Sequence, residues 1–402
     1  MNSFEKRFID DLNKYKDIMF FAIVSLIAFF VRYAGRDCQS MDYIYFLKPW
    51  FDQIKDAGGF SSLKEQVGNY GLLYQTIIAF MTYIDIDCIY QYKIMNGIFD
   101  YACAIAIAEL VAAAIGEKRF AVKYNFAYSI SLMLPTVITN GSYWGQCDSV
   151  YSFFLILTVL LLFKEKYKSA FVAYGLAFAF KFQAIFMLPF IICCWISKKK
   201  FSIVNLFISL GTFWASGIIA YLNGRNIFDA FKIYFGQAKD NIAMYDNFSS
   251  FWHLFNNDYG RFGTMASFIA ITLMGLGLYT VMYGYKKFDS GEKLLNGAVW
   301  FLWTAILFMP NMRDRYAFTM DIMLVGLSCI NIKYIKFAAV SVLISTIGYG
   351  TYLVSQPSPY NRVTALIYLI AWGYFGYTLI KNEDIKIQNE KINSIKNTEA
   401  KK

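Results

Sequence analysis

Apolar stretches of bilayer length, or close to it, recur from Ile18 to Ile380 and are separated by short loops that are mostly basic. A soluble core cannot bury so many such stretches, so the alternation restricts the fold to a bundle of membrane helices. The composition agrees: of 402 residues 57% are hydrophobic and 19% aromatic, with 6 Pro, and the mean hydropathy is +0.40. This describes an all-α polytopic membrane protein. A net charge of +10 would point to nucleic acid in a soluble chain. Here Lys and Arg cluster between apolar stretches, as topology signals do.

Those clusters set the orientation. Lys118-Arg119 to Lys123, Lys164 to Lys168, Lys198-Lys199-Lys200, Lys286-Lys287, Lys333 to Lys336 and the segment from Lys381 are all expected on the cytoplasmic side. Leu72 to Ile84 is apolar but only about 13 residues long, against the roughly 20 a span needs. If it crossed, every later basic loop would be inverted. It is therefore read as an interfacial helix in a long outer loop, residues 34–93. Spans are expected near 18–33, 94–115, 124–139, 149–163, 169–181, 184–197, 201–221, 264–285, 294–310, 317–331, 335–355 and 362–380, about twelve crossings with both termini inside. Residues 1–385 then form one integral domain with a second outer loop at 223–262, and residues 386–402 a disordered cytoplasmic tail. The first apolar run lacks a small-residue cleavage site and follows Lys6, Arg7, Lys14 and Lys16, so it reads as a retained span. Seven Cys are scattered without metal-ligand spacing and are expected to be free thiols. Heavy use of Ile, Lys, Asn and Tyr fits a low-GC bacterium, and hence a plasma membrane.

Two pairs of spans are too short for ordinary hairpins. Between Lys168 and Lys198 the chain has about 12–14 residues each way, about 20 Å of helix, so the turn at Lys181-Phe182-Gln183 lies at membrane depth. The same holds less severely around Asn140 to Ser149. Polar backbone at that depth is tolerated where it lines a cavity.

Four polar islands stand out: Met41-Asp42-Tyr43 through Pro49-Trp50, Trp144-Gly145-Gln146-Cys147-Asp148, Lys181-Phe182-Gln183, and Asn311 through Tyr316. An ionisable group near a helix centre costs at least about 2.5–3.5 kcal/mol, so groups retained there usually act on something. Asp42, among aromatics at the membrane edge, suits a general base on a hydroxyl, with Asp37 as its competitor; the bland reading is a solvated carboxylate or a helix cap. Lys181, with Gln183, suits a phosphate, or else an internal salt bridge to Asp148, and the two states can alternate with occupancy. Arg313 and Arg315 match phosphate oxygens in a fork, against simple snorkelling. Trp144 and Asp148 either anchor the following helix or contact a sugar. The single His253 leaves little material for a histidine-based metal site or a Ser-His-Asp triad and reads as an aromatic-loop residue. No Walker or Gly-rich nucleotide loop is present, which argues against a soluble nucleotide donor.

In this order the islands resemble the GT-C glycosyltransferases, in particular bacterial mannosyltransferase-like proteins related to GPI mannosyltransferase II, and more distantly the dolichyl-phosphate-glucose glucosyltransferases. The resemblance rests on Asp42-Tyr43 with Pro49-Trp50, Tyr70 with Tyr74, Trp144 through Ser149, Gly175-Leu176-Ala177 leading to Lys181-Phe182-Gln183-Ala184 and Pro189, and Pro310 through Tyr316. It covers residues from about 36 to 320. It implies a GT-C fold that transfers glucose or mannose, with inversion, from a polyprenyl-phosphate donor to a lipid-linked or cell-surface glycan at the outer face. Asp42 would be the base, and Lys181, Arg313 and Arg315 would hold the donor phosphate. Trp144, Gln146, Asp148, Gln183 and Tyr316 would line the donor-sugar cavity, and Tyr43, Trp50, Tyr70 and Tyr74 the acceptor groove. A metal or other cofactor is not expected, because a lipid monophosphate leaves readily once a cation offsets its charge. Relatives commonly carry His-Glu-Arg-Tyr where this chain has Arg313-Asp314-Arg315-Tyr316, and prolines where it has Gly71-Leu72-Leu73. The first departure keeps the phosphate-binding cations, and the second changes the shape of the groove. Two rival classes are a polysaccharide polymerase acting on diphosphate-linked oligosaccharides and a multispan transporter. A transporter would place its charges near the midplane of repeat-related helices, and no such repeat is visible.

Overall fold

The computed structural model describes residues 1–239, 243–283, 287–354 and 360–399. It is almost wholly helical, and its helices in order are α1 (Ser3–Ala34), α2 (Lys48–Asp56), α3 (Leu72–Met81), α4 (Cys88–Ile115), α5 (Val122–Leu132), α6 (Pro135–Ile138), α7 (Asp148–Phe163), α8 (Tyr167–Phe180) and α9 (Leu188–Lys198). They continue as α10 (Leu206–Ala215), α11 (Ile218–Leu222), α12 (Asp229–Lys239), α13 (Tyr259–Met282), α14 (Gly291–Phe308), α15 (Phe318–Ile330), α16 (Ile335–Leu353) and α17 (Arg362–Glu399). Among the described residues five helical segments are long and apolar enough to cross a membrane: Ser3–Ala34, Cys88–Ile115, Tyr259–Met282, Ile332–Leu353 and Arg362–Lys381. The remaining segments read as spans also fall on helices, shorter or interrupted ones, such as the pair α10 and α11. The chain is an all-α membrane protein. The last helix carries the backbone through the stretch read as a tail as far as Glu399, and residues 400–402 lie outside the described residues.

The core is built on α4 and α15. Helix α4 packs against α5, α7 and α15, and α15 reaches α14, α16 and α5 as well. The stripe on α15 is buried all round, from Phe318 to Leu327, as expected of a helix apolar on every face. Helix α8 lies on α7 and α10, and Gly175 permits the close crossing with α10, since a Cβ there would sit 2.5 Å from the Ser209 carbonyl oxygen. The short hairpin around Lys181 is not a tight pair. Its first leg, α8, packs on α7 and α10, while its second, α9, packs on α13 and α14, so the turn opens between two groups of helices.

The polar islands gather at one end of the bundle, after α1 and α8, before α7 and α15, and at the last turn of α16. Basic groups from several loops meet away from it: Glu109, in the second half of α4, pairs with Arg119 and Lys164, and Glu165 with Lys200. Segments 34–93 and 223–262, read from the sequence as outer loops, lock onto each other. Arg225 is buried, pairs with Asp229 at 2.9 Å, and reaches the side chain of Gln66. The second segment also carries β1 (Tyr245–Asp246), which pairs in parallel with β2 (Met312–Arg313). Trp252 closes the end of α14 by donating its indole N–H to the Phe308 carbonyl at 2.7 Å. The seven cysteines are free.

Candidate active site

Three backbone devices aim the polar side chains at a common point. Ser40 caps the helix that carries Asp42: its hydroxyl accepts from the Tyr43 N–H at 3.1 Å and donates to the Trp144 carbonyl at 2.5 Å. Asp42 therefore makes no capping bond, contrary to the bland reading, and its side chain is free to turn inward. A π-helical turn at Thr139–Trp144 ends at Gly145 in the left-handed region, φ 83°, where a side chain would be strained, and this sets Trp144 and Gln146 on either side of one carboxylate. Lys181 leaves α8 in extended conformation, which points it across the turn toward the first residue of α7.

The result is two carboxylates and two cations from four distant segments. Asp42 Oδ2 accepts from Trp144 Nε1 at 2.9 Å and from Gln146 Nε2, and Oδ1 accepts from the Tyr352 hydroxyl at 2.9 Å. Asp148 is fully buried in the first turn of α7, where the helix dipole favours its charge. It accepts from Lys181 through Oδ1 and from Asn140 at 2.9 Å through Oδ2. Arg315 lies between the carboxylates, Nη1 3.8 Å from Asp42 and Nε 3.7 Å from Asp148. Both are ion-pair distances beyond hydrogen-bond reach, and the buried Nε has no hydrogen-bond partner. The guanidinium also lies 5.4 Å from the Trp144 ring centre. Arg315 is thus held by charge while keeping donor capacity, whereas Lys181 is already engaged.

The other residues singled out in the sequence divide. Tyr70 donates to Gln146 Oε1 at 3.3 Å and faces Lys181, 5.8 Å from ring centre to ammonium, with Trp50 edge-on at 5.6 Å. These two form a wall of the site. Gln183 donates to the Tyr316 hydroxyl at 2.8 Å and joins the Lys181 turn to the Arg315 loop. Tyr43 and Tyr74 are buried, the first with its hydroxyl 3.3 Å from Cys88 Sγ, the second with its ring tilted against Tyr70 at 4.6 Å. Arg313 stands apart, half-exposed and paired with Asp246 at 3.3 Å. Asp37 is likewise apart, exposed and engaged with Arg36 and Tyr90. His253 stacks on Tyr245 at 3.7 Å, and burial lowers its pKa to about 4. Asp314, in the loop beside Arg315, is buried, which pushes its carboxyl up to about 7 despite the neighbouring guanidinium.

The sequence reading missed Asn140, Tyr349 and Tyr352. Tyr352 stacks on Trp144 at 4.3 Å with 22° between planes, and Tyr349 meets the same indole edge-on. It also missed a buried pair further in, Arg32 with Asp100 at 2.9 Å, on which the π-helical turn rests through Gly141.

Comparison with known proteins adds one relative. A stretch of 109 residues, 27% of this chain, is 31% identical to GPI mannosyltransferase 1 of Saccharomyces cerevisiae. The match spans about a quarter of that protein, 26% of its length. No family model matches the chain.

Proposed function

We propose that this protein is a membrane glycosyltransferase that moves a hexose, glucose or mannose, from a polyprenyl phosphate to a lipid-linked or cell-surface glycan at the outer membrane face, with inversion. The reading rests above all on the pairing of Asp42 with Arg315, a carboxylate held ready beside a guanidinium whose buried Nε has no hydrogen-bond partner. Membrane helices around the site and the partial match to a yeast mannosyltransferase support it.

In this mechanism Asp42 takes the proton of an acceptor hydroxyl as that oxygen attacks the anomeric carbon. The bond from that carbon to the phosphate oxygen breaks on the opposite face, and the lipid phosphate leaves with the electron pair. Arg315 receives the charge that grows on the leaving phosphate, the kind of pre-aimed stabilisation that commonly supplies the largest share of catalysis. Lys181 joins it by exchanging Asp148 for a phosphate oxygen. Tyr70 and Trp50, expected from the sequence in the acceptor groove, lie by Lys181 and Gln146 and in this reading wall the donor side instead, and Gln183 and Tyr316 tie the two cation-bearing turns together. A metal is not expected in this mechanism, because Arg315, and Lys181 once it leaves Asp148, would together offset the phosphate charge.

The deciding experiment supplies the purified protein with labelled polyprenyl-phosphate-glucose or polyprenyl-phosphate-mannose and membrane glycolipids as acceptor. Label passing to the glycolipid from either donor is the expected result. A folded protein that binds neither donor would remove this reading and favour a transporter or a polymerase that uses diphosphate donors. Arg313→Gln is expected to change the rate less than about fivefold, because an exposed ion pair is worth about 1 kcal/mol or less. A loss approaching that of an Arg315 substitution would return Arg313 to the phosphate site.

A further inference from the structure

Asp42 has two oxygens, and they are not equivalent. Oδ2 accepts two hydrogen bonds, from Trp144 and Gln146, with Arg315 beside it, and so has no lone pair to spare. Oδ1 accepts only from Tyr352. A base must approach the hydroxyl it deprotonates to about 2.6–3.2 Å, so an acceptor has to use Oδ1, the oxygen with a lone pair left, and must come in beside or in place of the Tyr352 hydroxyl already bonded there. Tyr352 also lies nearly flat on Trp144. It presents to the Trp144–Asp42 pair what a sugar presents to such a pair: a flat face on the indole and a hydroxyl on the carboxylate.

We infer that Tyr352 occupies the acceptor-sugar subsite in the resting protein, covering Asp42 Oδ1 until an acceptor displaces it. The inference rests on the function proposed above. It places the acceptor at the last turn of α16, against Trp144, rather than on Tyr43 and Tyr74, which are buried. The helix end is built to yield. Gly348 is packed against the Tyr360 ring and holds the helix there, but beyond it Gly350, two residues before Tyr352, costs about 1 kcal/mol of helix propensity relative to Ala and has open space where a side chain would be. The cover also has a chemical use. With Oδ1 open and donor bound, Asp42 would deprotonate a water molecule, whose oxygen would attack the anomeric carbon and release free hexose and lipid phosphate.

The test is release of free hexose from the polyprenyl-phosphate donor with no acceptor present, in wild type, Tyr352→Phe and Tyr352→Ala. Tyr352→Phe removes one hydrogen bond and is expected to raise release about 2- to 10-fold. Tyr352→Ala also removes the ring and is expected to raise it further, and Asp42→Asn in that background should abolish the gain. A tyrosine that merely supports the fold would lower release and transfer together. Release unchanged or reduced in both variants, with wild-type transfer intact, overturns the inference and leaves the glycosyltransferase reading standing. Absence of transfer by folded wild type with either donor overturns both.

Discussion

Asp42→Asn is expected to lower the rate of transfer by about 10²- to 10⁴-fold, the usual worth of a positioned general base, while donor affinity holds or improves. The substitution suits the site. The remaining carbonyl oxygen can still accept from Trp144 Nε1 and Gln146 Nε2, and the new amide faces the Tyr352 hydroxyl, which can accept in its turn. Removing a carboxylate 3.8 Å from Arg315 leaves that guanidinium more available to phosphate. Asp37→Asn is the matched control. That carboxylate is exposed and tied to Arg36 and Tyr90, so transfer should stay within about fivefold of wild type, the upper range of a surface ion pair. Steady-state transfer with labelled donor, together with donor binding measured separately, checks both. Full activity in Asp42→Asn would move the base to Asp148, or to Asp37 if its variant fails instead.

What the sequence reveals here follows from how expensive each group is. Charges inside apolar stretches announce themselves, and Asp42, Asp148, Lys181 and Arg315 do come together. Tyr352 is silent because a tyrosine at the end of an apolar helix is ordinary membrane-edge chemistry, and only the tertiary fold brings its hydroxyl to Asp42, 310 residues away in sequence. Arg313 and Arg315 look alike in a linear motif. One lies on β2, paired with a partly exposed aspartate, and the other is the second residue of the tight turn before α15 and points inward, a difference set by backbone geometry. Tyr43 was misleading because the helix carrying Asp42 turns that ring toward Cys88. Arg32 and Asp100 are missed because each stands singly rather than in a polar island, and their pairing, 68 residues apart in sequence, is set by the tertiary fold.

The pair Lys181 and Asp148 decides between the two roles open to a buried lysine. Each charge is almost fully buried, so either single removal leaves the other without its hydrogen-bonded countercharge, with Arg315 at 3.7 Å the only cation left near Asp148 among the described residues. Lys181→Met and Asp148→Asn are each expected to cost about 3–5 kcal/mol of stability, visible as a fall in thermal denaturation temperature in detergent or nanodiscs. The double variant removes both charges together and leaves Asn140 facing a neutral amide, so it should recover most of that loss. If Lys181 served only to neutralise Asp148, activity would return with stability. If it also holds the donor phosphate, stability returns and donor affinity does not, because one charge-assisted contact to the phosphate is missing. The second outcome is expected, with the donor KM raised about 10- to 100-fold, corresponding to about 1.5–3 kcal/mol for a hydrogen bond to a charged group. Arg315 would still be in place in that variant, so acceptor KM should be unchanged. Equal losses for donor and acceptor would mean that the turn itself had collapsed, and recovery of both would assign Lys181 to structure alone.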